Sequence, residues 1–204
     1  MFNVKEFVFC AVSKLYIPPE LIESSEKRLL HISDTPASFY SDLKVLVEKL
    51  KPAYIVHTGD LVDDIKLGFY SSLTDEYEKE IQNLASIFDD SGAETILALG
   101  NHDNFNICRL YLYNSYIIKK AETLEIEGMN FRISHMPEGI REAPEQYNLY
   151  GHDLTLKYGC SEDKMYFNEV SYINIIGLES GKHVMLSYPH GVNNSRLGRG
   201  KVGL

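Results

Sequence analysis

Three short apolar runs, residues 29–33, 53–57 and 95–99, are separated by two stretches whose apolar residues recur at helical spacing, an order that few folds accommodate. In 37–50, Phe39, Leu43, Leu46, Val47 and Leu50 fall on one face before Lys51 and Pro52 end the pattern. Residues 73–88 repeat it until Ser91-Gly92 stops it. Strand, helix, strand, helix, strand predicts parallel pairing with right-handed crossovers. Ligands collect beyond the carboxyl ends of such strands, so the residues closing each run are where chemistry is to be sought. Farther on, 105–113 reads as a helix and 124–133 as a hairpin turning at Glu127-Gly128. Residues 165–178 and 183–188 read as another hairpin, around Ser180-Gly181. The second half is therefore β-rich, and pattern alone gives α/β.

A chain of 204 residues can bury a core as one domain, 1–204, without disulfides. Residues 1–28 form an N-terminal extension, and the Gly-, Asn- and base-rich 191–204 is expected to be a flexible tail. Cys10, Cys108 and Cys160 are odd in number and widely spaced, which reads as reduced thiols. Residues 7–12 are too short and lack the basic flank for a signal core, and they read as a strand. No membrane partner and a cytoplasmic location are expected. The net charge of −9 argues against nucleic acid, whose binding depends on Lys and Arg. A small phosphorylated substrate is compatible with it where bound cations offset the acidity.

The strand ends carry donors. Asp34 follows the first run, Gly59-Asp60-Leu61-Val62-Asp63 the second, and Gly100-Asn101-His102-Asp103 the third. His135 and Gly151-His152 follow two later segments. Taken singly, Asp60 is a common turn residue, Asn101 a possible helix cap, and one histidine after a strand is ordinary. Together, Asp34, Asp60, Asn101, His135 and His152 form a carboxylate, carboxamide and imidazole set suited to a divalent metal: Mn, Mg, Fe or Zn. The absence of thiolates argues against structural zinc. His31 and His57 lie three residues before a motif aspartate, about 10 Å back along their strands, and are read as hydrogen-bonded sheet histidines.

In this order the motifs resemble the calcineurin-like metallophosphoesterases, whose pattern runs D-x-H, G-D-x-x-D, G-N-H-D/E, a lone His, then G-H-x-H. The resemblance spans roughly residues 29–155. It implies a β-sandwich flanked by helices and hydrolysis of a phosphate monoester or diester by metal-activated water. It also implies that Asp60 bridges two metals, and that His102 donates a proton to the leaving oxygen while Asp103 orients it. The first motif reads Asp34-Thr35-Pro36 and the last Gly151-His152-Asp153-Leu154, so Pro36 and Leu154 stand where the family has histidines. In the family both missing histidines bind the same metal. The other metal keeps Asp60, Asn101, His135 and His152. One divalent ion should therefore bind tightly and the second weakly, with that site empty or rebuilt from Thr35, Asp63, Asp64, Asp153 or His190. The alternative is a catalytically weak or inactive calcineurin-like fold serving as a metal- or ligand-binding interaction module, against which the retained Asn101-His102-Asp103 speaks. Substrate choice lies in loops such as 65–75 and 136–147.

Overall fold

The computed structural model describes residues 15–152, 155–156, 159–161, 163–170, 172–189 and 191–192. The expected strand at 7–12, Cys10 and nearly all of the expected tail lie outside them. The first half alternates as its periodicity predicts. Strands β1 (Arg28–Ile32), β2 (Tyr54–His57) and β3 (Glu94–Ala98) pair parallel side by side, connected through α2 (Tyr40–Leu50) and α3 (Thr74–Ser91). Before them lies the short α1 (Pro19–Glu23), and Leu15, Ile17 and Leu21 pack on the core, so the described part of the extension is docked.

After β3 come α4 (Phe105–Tyr111), β4 (Tyr116–Ile118), β5 (Ala121–Ile126), β6 (Met129–Ser134), α5 (Pro137–Glu142) and β7 (Tyr147–Tyr150). The chain closes with β8 (Gly159–Ser161), β9 (Lys164–Asn168), β10 (Ile173–Gly177) and β11 (His183–Leu186). One sheet runs β11-β10-β1-β2-β3-β4, the other β5-β6-β7-β9-β8. The β5–β6 hairpin turns at Glu127 and Gly128, both at positive φ as a two-residue type I′ turn requires. The hairpin expected from 165–178 and 183–188 is corrected in its first arm. That apolar run is two strands: β9 belongs to the second sheet, and β10 crosses to pair with β1 and β11 in the first. Hydropathy cannot separate them, because the buried apolar residues Phe167, Val170 and Ile173 run through both strands and the link between them.

Alternation along the strands divides the core into two layers. Leu30, Ile32, Ile55 and Leu97 face the helix layer, where they meet Leu43, Leu46, Tyr77, Ile81 and Leu84. Leu29, Val56, Ile96 and Ala98 point the other way and meet Phe131, Ile133, Leu149 and Phe167 of the second sheet. With α5 packed on β6 and β7, the architecture is a β-sandwich flanked by helices. Cys108 is buried and Cys160 exposed, both free. No helix among the described residues is long and apolar enough to cross a membrane.

His31 and His57 are fully buried and hydrogen-bonded. His57 Nδ1 accepts from the Gly59 amide at 3.2 Å, which leaves Nε2–H to donate to Thr35 Oγ1 at 2.8 Å. His31 Nε2 meets Thr58 Oγ1 at 2.9 Å, and its Nδ1 lies 3.4 Å from the Asn174 amide nitrogen. Burial lowers the His31 pKa from 6.5 to about 3. The folded protein thus keeps this ring neutral where the unfolded chain takes up a proton. The associated stability is complete above the unfolded pKa and is lost as pH falls toward the folded one, by about 1.4 kcal/mol per pH unit. In His31→Gln, the urea midpoint should fall less steeply with pH than in the parent between about pH 6 and 4. Equal slopes would show that His31 does not carry this share of the acid sensitivity.

Candidate metal centre

Because β1, β2 and β3 run parallel, Asp34, Asp60 and Asn101 emerge at one edge of the first sheet. His135 and His152 follow β6 and β7, which are also parallel to each other, in the second. The loops are then tied together. Asp34 N donates to Gly59 O at 2.8 Å, Thr35 N to Asp60 O at 3.0 Å, and Gly151 N to His135 O at 3.2 Å. Asp34, Asp60 and His152 all have positive φ, at 46°, 50° and 70°. Such backbone costs on the order of 1 kcal/mol or more per residue and persists only where its surroundings enforce it. Gly59, at φ 101°, is required twice over, since a Cβ there would lie 2.6 Å from both Gly100 N and His135 Nδ1.

The carboxylate of Asp103 is the main tie. Its Oδ2 accepts from Asp60 N at 2.9 Å and Gly100 N at 2.7 Å, and its Oδ1 from Leu61 N and the Tyr77 hydroxyl, both at 2.9 Å. This departs from the expected role. Asp103 forms no hydrogen bond with His102 among the described residues, because four donors already occupy its oxygens. Burial raises the Asp103 pKa, the Asp60 charge adds to the rise, and the amides of Gly100 and Leu61 oppose it. Tyr77 gave no sign in the sequence, where it reads as one more apolar position of the second helix. The Asn104 side chain, rather than Asn101, caps α4, accepting from the amides of Asn106 and Ile107.

Asp60, Asn101, His135 and His152 converge. His135 Nδ1 lies 2.7 Å from Thr58 O. A carbonyl can only accept, so Nδ1 carries the hydrogen and Nε2 keeps its lone pair. That Nε2 faces Asn101 Oδ1 at 3.1 Å, His152 Nδ1 at 3.2 Å and Asp60 Oδ2 at 3.7 Å. Metal–ligand bonds of about 2.1 Å set at right angles place neighbouring donors roughly 3.0 Å apart, so these spacings fit a divalent ion. Asp60 Oδ1 is turned away to accept from His102 N at 3.1 Å.

Asp60 also belongs to a second cluster, with Asp34 and Asp63, whose oxygens lie within 4.8 Å of one another. Asp34 Oδ2 accepts from Ser33 Oγ at 2.7 Å and His152 N at 3.1 Å. Burial raises Asp60, against the effect of His135, and burial followed by the Asp34 charge pushes Asp63 up to about 8. Of the other residues considered for this corner, Thr35 bonds His57, while Asp64 accepts from Ala37 N at 3.0 Å at the start of the helical segment after Pro36. Asp153, Leu154 and His190 lie outside the described residues. His102 is 7% exposed, and its Nδ1 is buried without a hydrogen-bond partner among the described residues. The Phe69 ring lies against it, with centroids 5.0 Å apart.

A model of the calcineurin-like phosphoesterase family matches residues 27–186, and the chain belongs to that family. No curated protein matches the sequence. Among solved structures, one crystal structure is similar with a TM-score of 0.56 at 12% identity, covering 80% of this chain and 99% of that one. Another is Yfce, a phosphoesterase from E. coli, with a TM-score of 0.48 at 13% identity, covering 79% of this chain and 99% of that one. At such identity the first of these likenesses speaks to fold alone, and that fold is the sandwich described above. Family membership supports phosphoester chemistry with divalent metal in general.

If Asp103 holds the centre together, Tyr77→Phe should lower unfolding stability by roughly 1.5–3 kcal/mol, the range for a hydrogen bond to a charged group. Urea denaturation at neutral pH reads this directly. A midpoint equal to the parent's would remove Tyr77 from the tie.

Proposed function

We propose that the protein is a divalent-metal-dependent phosphoesterase acting on a small phosphate monoester or diester. Its complete metal site is Asp60, Asn101, His135 and His152, and its second site is depleted by Pro36 and Leu154. The convergence of His135 Nε2, Asn101 Oδ1, Asp60 Oδ2 and His152 Nδ1 carries this reading. Atoms that mostly offer lone pairs to one another are poorly satisfied without a cation among them. A mixed nitrogen and oxygen set suits Mn, Fe or Zn, whereas Mg fits better where oxygens alone bind. When bound, the ion polarises a phosphoryl oxygen and lowers the pKa of water.

The protein's own residues supply the remaining functions. Thr58 O fixes the His135 tautomer, and Asp103 fixes the backbone of Asp60 and Gly100, so the ligands meet the ion already oriented. His102 is the proton donor to the leaving oxygen. Burial holds its pKa below 6.5, with Lys66 lowering it further and Asp103 opposing. A phosphate ester beside the ring favours the protonated form, which is the form that donates. Next to Asn101 and His135 opens a cleft of about 350 Å³ lined also by Lys119, Lys120 and Met136, which would receive the rest of an anionic substrate.

Hydrolysis of a chromogenic diester with added Mn2+ tests the reading against the interaction-module alternative. Turnover that stops on chelation and returns with metal is expected. A metal-loaded protein without turnover on monoester or diester would favour the module. Asn101→Ala and His135→Ala should each weaken metal affinity about tenfold or more, by calorimetric titration. His102→Ala should keep its metal yet lose roughly 10²–10⁴ in turnover, mainly on substrates with poor leaving groups. Equal loss for good and poor leaving groups would count against the donor role.

A further inference from the structure

Asp34, Asp60 and Asp63 are 4%, 3% and 0% exposed. Asp63 Oδ2 is buried without a hydrogen-bond partner among the described residues. Three carboxylates this close and this dry stay ionised only with positive charge beside them. One source is already in the chain. The Lys66 ammonium contacts Asp63 Oδ1 directly and lies 4.0 Å from Asp60 Oδ2, on a side chain only 22% exposed.

The turn after Asp63 brings it there. Ile65 N donates to Val62 O, and the amides of Phe69 and Tyr70 both donate to Lys66 O, so the backbone curls back on itself. The same turn packs on His102. The Phe69 ring lies against the imidazole, and a Cβ on Gly68 would stand 2.8 Å from His102 Nδ1. Lys66 is thus held where the oxygens of the depleted site meet the proposed proton donor.

On the reading that the site of Asp60, Asn101, His135 and His152 holds one divalent ion, we propose that Lys66 is a built-in cation at the depleted site. Its ammonium, held by Asp63 and Asp60, takes the electrostatic place of a second metal ion. The charges agree with this assignment. With Asp34, Asp60 and Asp63 all ionised, the ammonium and one divalent ion together match the charge of these three, while Asp103 is held by its own four donors. Losing the two imidazoles removes two neutral donors and leaves the aspartates, Asp63 of the G-D-x-x-D motif among them, so the corner pairs ions more readily than it coordinates a metal. An ammonium has three N–H donors and no coordination position, so it can hold a phosphoryl oxygen but cannot activate water. Water activation then falls to the single metal.

Loading the purified full chain with Mn2+, then measuring bound metal and the paramagnetic resonance spectrum, tests this without recourse to activity. The parent should hold about one ion per chain, with the hyperfine spectrum of an isolated Mn2+. Lys66→Met keeps the stem but removes the charge, and at the same free Mn2+ it should hold about two ions with an exchange-coupled spectrum, as a spacing of about 3.5–4 Å would give. Lys66→Arg should remain at one. Two coupled ions in the parent would overturn the proposal while leaving the complete site standing, and so would a Lys66→Met that binds no more than the parent. Lys66→Gln gives the same comparison should the methionine variant fold poorly. A parent that binds no Mn2+ would instead overturn the complete site, and the proposal with it.

Discussion

Asp103 accepts from the amides of Asp60, Leu61 and Gly100 and from the Tyr77 hydroxyl, so one carboxylate fastens the loop after β2, the loop after β3 and helix α3 at a single point. The positions of Asp60 and Asn101 depend on this tie. Without it, three backbone amides at the edge of a buried acidic cluster would lose their acceptor. The cost of desolvating Asp103 is met by four donors, and the remaining site residues can keep their own lone pairs turned inward.

The strain at the site is affordable for the same reason. Asp34, Asp60 and His152 hold left-handed backbone that a loose loop would relax, and each is fixed by bonds from a different part of the fold. Thr35 N and Asp34 N reach across to the Gly59-Asp60 turn, and His152 N reaches back to Asp34 Oδ2. Beneath them the two core layers leave little room for movement, because β1, β2 and β3 are packed on both faces.

The two sheet histidines are paired in the ordinary way. His31 meets Thr58 and Asn174, and His57 meets Thr35 and the Gly59 amide. The centre is different: among the described residues acceptors outnumber donors around Asp60, and the direct cationic contact there comes from Lys66. Such an imbalance raises the affinity of a site for cations, and with it the electrostatic stabilisation available to a phosphoryl group.

Strand and helix order in the first half, the β5–β6 turn and the donor-bearing strand ends were legible in the sequence, because periodicity and turn chemistry are local. The motif order also indicated the family, since its residue types follow from what a metal and a phosphate require. The division of 165–178 between two sheets was not legible, because buried apolar residues run through both strands and the link between them. Nor was the role of Asp103, which depends on amides some forty residues away in sequence, nor that of Tyr77, whose hydroxyl matters only because α3 packs beneath the loops. Asp63 and Lys66 are an ordinary acid and base three residues apart. Only the folded chain, by closing Asp34 and Asp60 around Asp63 and curling Lys66 onto it, brings their charges to the candidate metal centre.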